Sequence, residues 1–211
     1  MLGAGHDAAM NRILLIAIAA VLAVIGVVGA LTLQRPQEPV PGTAATATKS
    51  PVSRFAPIEG DFSVVAPVDG KGQPADMAPY RGKVLLVNLW ATWCAPCIKE
   101  LPSLGTLQQE LGGDEFQVVT IAIDERDPAK IGPFLASHGA ANLPVLIDRD
   151  RTIEKVAKVV ALPTSFLVDR DGKVKAMVTG DACWNSGTAL AAVKAFITDA
   201  TVMTDELETC E

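Results

Sequence analysis

The apolar positions of the chain fall into distinct patterns, and each predicts a different kind of element. Ile13 to Leu33 (ILLIAIAAVLAVIGVVGALTL) is one apolar stretch without a charge, long enough as a helix to cross a hydrocarbon core about 30 Å thick. It predicts a membrane-spanning anchor behind a short tail, residues 1–12. A cleaved signal peptide is the rival reading, since Val28 and Ala30 offer a peptidase small side chains, but the stretch exceeds the usual apolar region of about 7 to 15 residues. Residues 34–57 (QRPQEPVPGTAATATKSPVSRFAP) lose all apolar periodicity and are rich in Pro, Ala, Thr and Ser. Such a segment buries too little surface to offset the entropy of ordering, and its prolines keep it partly extended. It reads as a tether.

A folded domain over residues 58–200 follows, with its apolar pattern starting near Phe62. Val84 to Trp90 (VLLVNLW) and Phe116 to Ile123 (FQVVTIAI) are β-prone runs of the kind found in strands buried on both faces of a sheet. Between them a helix is expected from Cys94 to the Gly112-Gly113 pair, kinked at Pro102, whose missing N–H removes a bond to Ile98. Further along, the pattern predicts a helix from Pro128 to Ser137, a strand from Pro144 to Ile147 and a helix from Thr152 to Val159. Thr164 to Val168 and Lys173 to Val178 flank the turn Asp169 to Gly172 (DRDG) and predict an antiparallel hairpin. A helix from Ser186 to Thr198 and a tail, residues 201–211, complete the chain. Alternating strands and helices imply an α/β fold with right-handed crossovers and a largely parallel sheet.

Charge narrows the partners. The 211 residues carry a formal net charge of -6, which argues against a nucleic-acid partner, because that affinity comes mainly from Lys and Arg neutralising phosphates. The two similar pieces LIDRD and LVDRD (residues 146–150 and 167–171) lack the spaced acids and closing Glu of a calcium loop, so they read as solvated turns.

The chemistry is concentrated in TWCAPC, Thr92 to Cys97. A thiolate is the nucleophile of disulfide exchange, and Cys94 lies at the expected start of a helix, whose unpaired N–H groups and dipole favour negative charge. Pro96 suits a first helical turn. Attack by Cys94 on a disulfide gives a mixed disulfide that Cys97, one turn on, resolves. Zinc ribbons share the Cys-x-x-Cys spacing but need a second ligand pair. The remaining cysteines and histidines, Cys183, Cys210, His6 and His138, have no such spacing, so no metal and no cofactor are expected. The Cys183 and Cys210 pair is read as a possible structural disulfide pinning the C-terminal tail across the last helix, with free thiols or an intermolecular link as alternatives. His138, before Gly139, suits a helix end, where a cation meets the dipole well.

Trp93-Cys94-Ala95-Pro96-Cys97 after a buried strand, followed by Leu162-Pro163-Thr164 before a hairpin, resembles the thioredoxin fold. VNLWATWCAPCIKELP is similar to its TlpA-like, membrane-tethered periplasmic branch. The resemblance covers about Phe62 to Ile197, and the region Pro128 to Val159 matches that branch's helix-strand-helix insertion. It implies a central mixed sheet flanked by helices, preceded by one transmembrane helix, and a single-pass inner-membrane protein with its domain in the periplasm. The positive charges around the anchor do not by themselves favour an inside N-terminus.

The same resemblance implies a protein-disulfide reductase. Its clients would be proteins with cysteine pairs, in cytochrome oxidase copper-site assembly or cytochrome c maturation, and a membrane thiol donor would reload it. It further implies a cis Pro163 lying against Cys94, a client segment pairing with the backbone at Leu162 beside Trp93 and Thr164, and Glu100 accepting the proton of Cys97. Asn88 departs from plain thioredoxin, which has a buried acid there. Competing readings are a copper-carrier module of the same fold and a net dithiol oxidant. A Sco-like carrier resembles a Cys-x-x-x-Cys arrangement with a distant histidine, which this chain lacks. A peroxidase reading is disfavoured because peroxiredoxins place Thr three residues before the reactive cysteine, where this chain has Ala91.

Overall fold

The computed structural model describes residues 56–124, 127–200 and 207–210. The described residues belong to one compact unit of the chain, and the anchor and nearly all of the tether lie outside them. Among the described residues no helix is long and apolar enough to cross a membrane.

The sheet has, among the described residues, seven strands: β1 (Ala56–Asp61), β2 (Val68–Asp69), β3 (Val84–Trp90), β4 (Phe116–Ala122), β5 (Leu146–Ile147), β6 (Thr164–Val168) and β7 (Lys173–Thr179). Their order across the sheet is β1-β7-β6-β3-β4-β5-β2. All seven residues of β3 are buried, as the continuous apolar run requires of a strand covered on both faces. Among the described residues four α-helices accompany the strands: α1 (Ala95–Leu111), α2 (Ile131–Ser137), α3 (Thr152–Val156) and α4 (Gly187–Thr198).

Three sequence expectations need correction. The fold starts earlier than Phe62: β1 pairs antiparallel with β7, and its register shifts between Pro57 and Gly60. Pro and Gly hide this strand from a pattern search, but an edge position tolerates both. Second, the sheet is mixed, as the family resemblance implies, and not largely parallel, as the alternation of elements implies. Only β3-β4 and β4-β5 run parallel, whereas β6 lies antiparallel to β3. β6 also pairs antiparallel with β7 through the Asp169–Gly172 turn, so this side of the sheet is wholly antiparallel. Third, α3 stops at Val156 rather than Val159, and Lys158 beyond it takes a positive φ of 52°.

Helix α1 continues through Pro102 to Leu111 and is capped by Gly112. Its outer half is seated against the turn after α2: a side chain at Gly105 would come within 2.5 Å of the Gly139 carbonyl, and Asn142 Nδ2 donates to Gly105 O at 2.8 Å. Gly139 supplies the positive φ of 72° that ends α2. There His138 Nδ1 lies 2.8 Å from Phe134 O, and its ring stacks on Phe134. The inner face of α1, with Cys97, Glu100, Leu101 and Leu104, is buried in the core.

Candidate active site

The site forms where β3 runs out into α1. Thr92 N donates to Asp124 Oδ2 at 2.8 Å, and the Thr92 hydroxyl bonds the same oxygen. That ties the loop before the cysteines to the end of β4. Cys94 then takes an extended backbone (φ −91°, ψ 99°) as the N-cap of α1, with Pro96 in the first turn. Cys97 N donates to Cys94 Sγ at 3.3 Å, so one of the helix's unpaired N–H groups points at this sulfur. The pair is joined by a disulfide, with Cα atoms 5.3 Å apart. Cys94 keeps 6% of its surface accessible and Cys97 none. The two sulfurs therefore differ in access, and the accessible one also faces the positive end of the helix.

One turn beyond Cys97, Glu100 is fully buried. Its Oε1 accepts from Asn88 Nδ2 at 2.7 Å. Its Oε2 accepts from Ala182 N at 3.1 Å and from Trp184 Nε1 at 3.3 Å. Asn88 Nδ2 also donates to Ser165 Oγ at 2.9 Å, and β3 sets Asn88 beside Ser165 in register. Burial pushes the Glu100 carboxyl up from its ordinary 4.5 to about 8, against the opposing pull of its three donors. The result is a carboxyl that holds its proton at neutral pH, on the same helix face as Cys97.

A groove of about 480 Å³ opens beside Cys94, lined among others by Trp93, Pro96, Arg151, Glu154, Val160 and Leu162. Trp93 is 61% exposed, so it is surface rather than core. The Leu162-Pro163 peptide bond is cis, and Pro163 O accepts from Gly180 N at 2.9 Å. Thr164, read from sequence as a client contact, is buried, and its hydroxyl donates to Ala161 O at 2.7 Å. It braces the turn into β6 instead of lining the groove. Arg151 and Glu154, from the insertion, pair at 2.5 Å and give the groove a charged wall that sequence reasoning did not assign.

Trp184 was also missed. Its indole is fully buried, and a buried indole N–H needs an acceptor. A tryptophan just before a helix signals that need but does not say which acid fills it. Cys183 and Cys210, read as a possible structural disulfide, are free thiols in this structure. The two chain segments that carry them are nonetheless in contact, because Cys183 N donates to Glu208 O at 2.5 Å. Among the described residues no cluster of three or more His, Cys, Asp or Glu side chains is arranged to hold a metal ion.

The central sheet with a cysteine pair capping α1 is a thioredoxin-like α/β fold, and comparison with solved structures agrees. A chain from Chlorobium tepidum assigned as a thiol:disulfide interchange protein DsbE superposes with a TM-score of 0.55 at 28% identity, covering 69% of this chain and 99% of that one. The thioredoxin domain of a thiol-disulfide oxidoreductase from Bacteroides vulgatus gives 0.52 at 20% identity, over 65% and 96% of the two chains, and speaks for the fold alone. Residues 55–177 match the AhpC/TSA family, and the chain belongs to that family. Among curated proteins it is similar to the thiol-disulfide oxidoreductases ResA of Bacillus thuringiensis, 34% identical over 113 residues (54% of this chain, 64% of that protein), and of Bacillus subtilis, 34% over 112 residues (53% and 62%). The matched region thus spans less than two thirds of these relatives' length.

Proposed function

We propose that this protein is a thiol-disulfide oxidoreductase that reduces disulfides in client proteins. Residues 13–33 hold it to the inner membrane, and its domain works in the periplasm. One observation carries the reading: the Cys94-Cys97 disulfide caps α1 with Cys94 bordering an open groove, while Cys97 and Glu100 are buried behind it. The names of the relatives point the same way. Thr92, the hydroxyl nearest to a peroxidatic threonine in sequence, is committed to Asp124, which speaks against a peroxidase.

In the reduced protein the Cys94 thiolate, favoured by the helix N-terminus, attacks one sulfur of a client disulfide. The other client sulfur leaves as a thiolate and takes a proton from water. Glu100 in its ionised form, a minor share at neutral pH that grows toward pH 8, then takes the proton of the Cys97 thiol as Cys97 attacks Cys94. The second client sulfur leaves, takes up a proton, and the protein closes its own disulfide. An acceptor raised to about 8 lies much closer to the thiol range than an ordinary carboxylate does, which suits it to take a thiol proton. Trp93 and Leu162 form the groove in which an extended client strand lies, with Pro163 shaping its floor.

The clients we propose are cysteine pairs awaiting copper or haem, in cytochrome oxidase copper-site assembly or cytochrome c maturation, with a membrane thiol donor reloading the protein. Insulin reduction and equilibration against a glutathione redox buffer test the reading. A reductant is expected to exchange with insulin and to equilibrate far on the reducing side of glutathione. A potential near that of a strong dithiol oxidant contradicts it, since each ~30 mV shifts exchange by about 1.4 kcal/mol. A Cys97→Ser variant is expected to retain its clients as mixed disulfides that mass spectrometry identifies.

A further inference from the structure

Cys183 sits between the two residues that hold Glu100. Ala182 N and Trp184 Nε1 both donate to Glu100 Oε2, and Trp184 N donates to Ser103 Oγ at 3.1 Å, one turn further along α1. The strip 182–184 is therefore bonded to α1 on both sides of Cys183. Residues 207–210 lie along the same strip. Leu207 is buried in the core, Cys183 N donates to Glu208 O, and the Cys210 thiol donates back to Ala182 O at 3.9 Å. These contacts bring one thiol to the other: burial first, and then the hydrogen bond with Cys183, push the Cys210 thiol up to about 12.

We propose that Cys183 and Cys210 are a second redox couple, whose disulfide fastens the C-terminal tail to the strip that holds Glu100. This differs from a permanent staple, because the thiols already meet through backbone contacts that need no bridge. Bridging requires an oxidant, and the class that serves is a disulfide, either oxidised glutathione or an oxidised protein. Cys183 attacks one of its sulfurs and the other leaves as a thiol. Cys210, kept protonated by burial, gives up its proton on attacking Cys183 and releases the second thiol. Two thiols are oxidised to one disulfide while the oxidant's disulfide is reduced to two thiols. The consequence for catalysis rests on the function proposed above: the bonds from Ala182 N and Trp184 Nε1 to Glu100 exist with both thiols free, and fastening the tail makes them harder to open while the surroundings are oxidising.

The test uses the full-length protein with Cys94→Ala and Cys97→Ala, so that only the second pair can react. Reduced protein is incubated with oxidised glutathione and analysed by intact mass and peptide mapping. The expected product has lost the mass of two hydrogens, carries no glutathione and yields a peptide linking Cys183 to Cys210. Two glutathione adducts, a disulfide-linked dimer or two thiols still open to alkylation each overturn the proposal. In the same protein, amide exchange at Ala182 and Trp184 is expected to slow roughly tenfold on oxidation, and to stay unchanged once Cys210→Ser is added. Equal exchange before and after oxidation also overturns it. Neither readout uses the Cys94-Cys97 reaction, so a failure of the proposed reductase activity leaves both unaffected.

Discussion

Two pairs of cysteines in this domain have opposite settings. Cys94 and Cys97 are three residues apart, at the cap and in the first turn of a 17-residue helix that follows a strand buried along its whole length. Cys183 and Cys210 come from an irregular strip and a C-terminal tail that meet through backbone hydrogen bonds. The first pair has a helix N-terminus behind its accessible sulfur and a groove in front of it. In the second, burial above all keeps the Cys210 thiol protonated. Both reach Glu100, one along its own helix and the other through the residues on either side of Cys183. The same side chain thus becomes a nucleophile or a fastening according to the backbone dipoles and exposure around it.

The comparison is broken most sharply by exchanging one sulfur at a time. Cys94→Ser is expected to lower insulin reduction by about a thousandfold or more, because the attacking atom is lost. Cys183→Ser with Cys210→Ser is expected to leave the rate under reducing conditions within about twofold, since neither thiol lies on the groove. A large loss in the second variant, measured in the same assay, removes the distinction.

Glu100→Gln sharpens it next. The resolving step, followed as release of a client mixed disulfide, is expected to slow roughly a hundredfold and to lose the ionisation near pH 8. Stability carries a second signature. Between about 4.5 and about 8 the folded chain keeps a proton on Glu100 that the unfolded chain has lost. The folded state therefore binds more protons, and its stability falls as pH rises through that window. In urea unfolding of the oxidised protein, Glu100→Gln is expected to flatten this slope, and an unchanged slope counts against a buried neutral carboxyl.

Trp184→Phe has a smaller effect. It removes a donor that lowers the carboxyl pKa, so the pH 8 limb should move upward, with a stability loss of about 1 kcal/mol for the buried hydrogen bond. Trp93→Ala is the mildest: the ring is 61% exposed, so thermal unfolding should not change, while the rate with protein clients falls a few-fold and the rate with small disulfides stays the same.

Much of this organisation is legible in the chain because it is local. β3 declares itself by seven consecutive core residues, and the start of α1 by Pro96 and the cysteine before it. β1 and β2 are not legible, one because Pro57 and Gly60 break its pattern, the other because two residues carry no period. The sheet's mixed direction comes from β6 returning antiparallel beside β3, a packing outcome that the alternation of elements does not contain. The Glu100 site divides in the same way. Its place on the face of Cys97 follows from helical spacing, but its partner Trp184 lies 84 positions away and is found only when α1 packs against the strip after β7.

The central claim is that Cys94 carries a stabilised, reachable thiolate while Cys97 waits behind it. Alkylating the reduced protein with limiting iodoacetamide across pH, and mapping the product by mass spectrometry, tests it directly. Modification is expected at Cys94, with an apparent pKa below the ordinary value near 8.5, while Cys97 is spared. Labelling of Cys97 first, or a Cys94 that titrates as an ordinary thiol or does not react at all, contradicts the account.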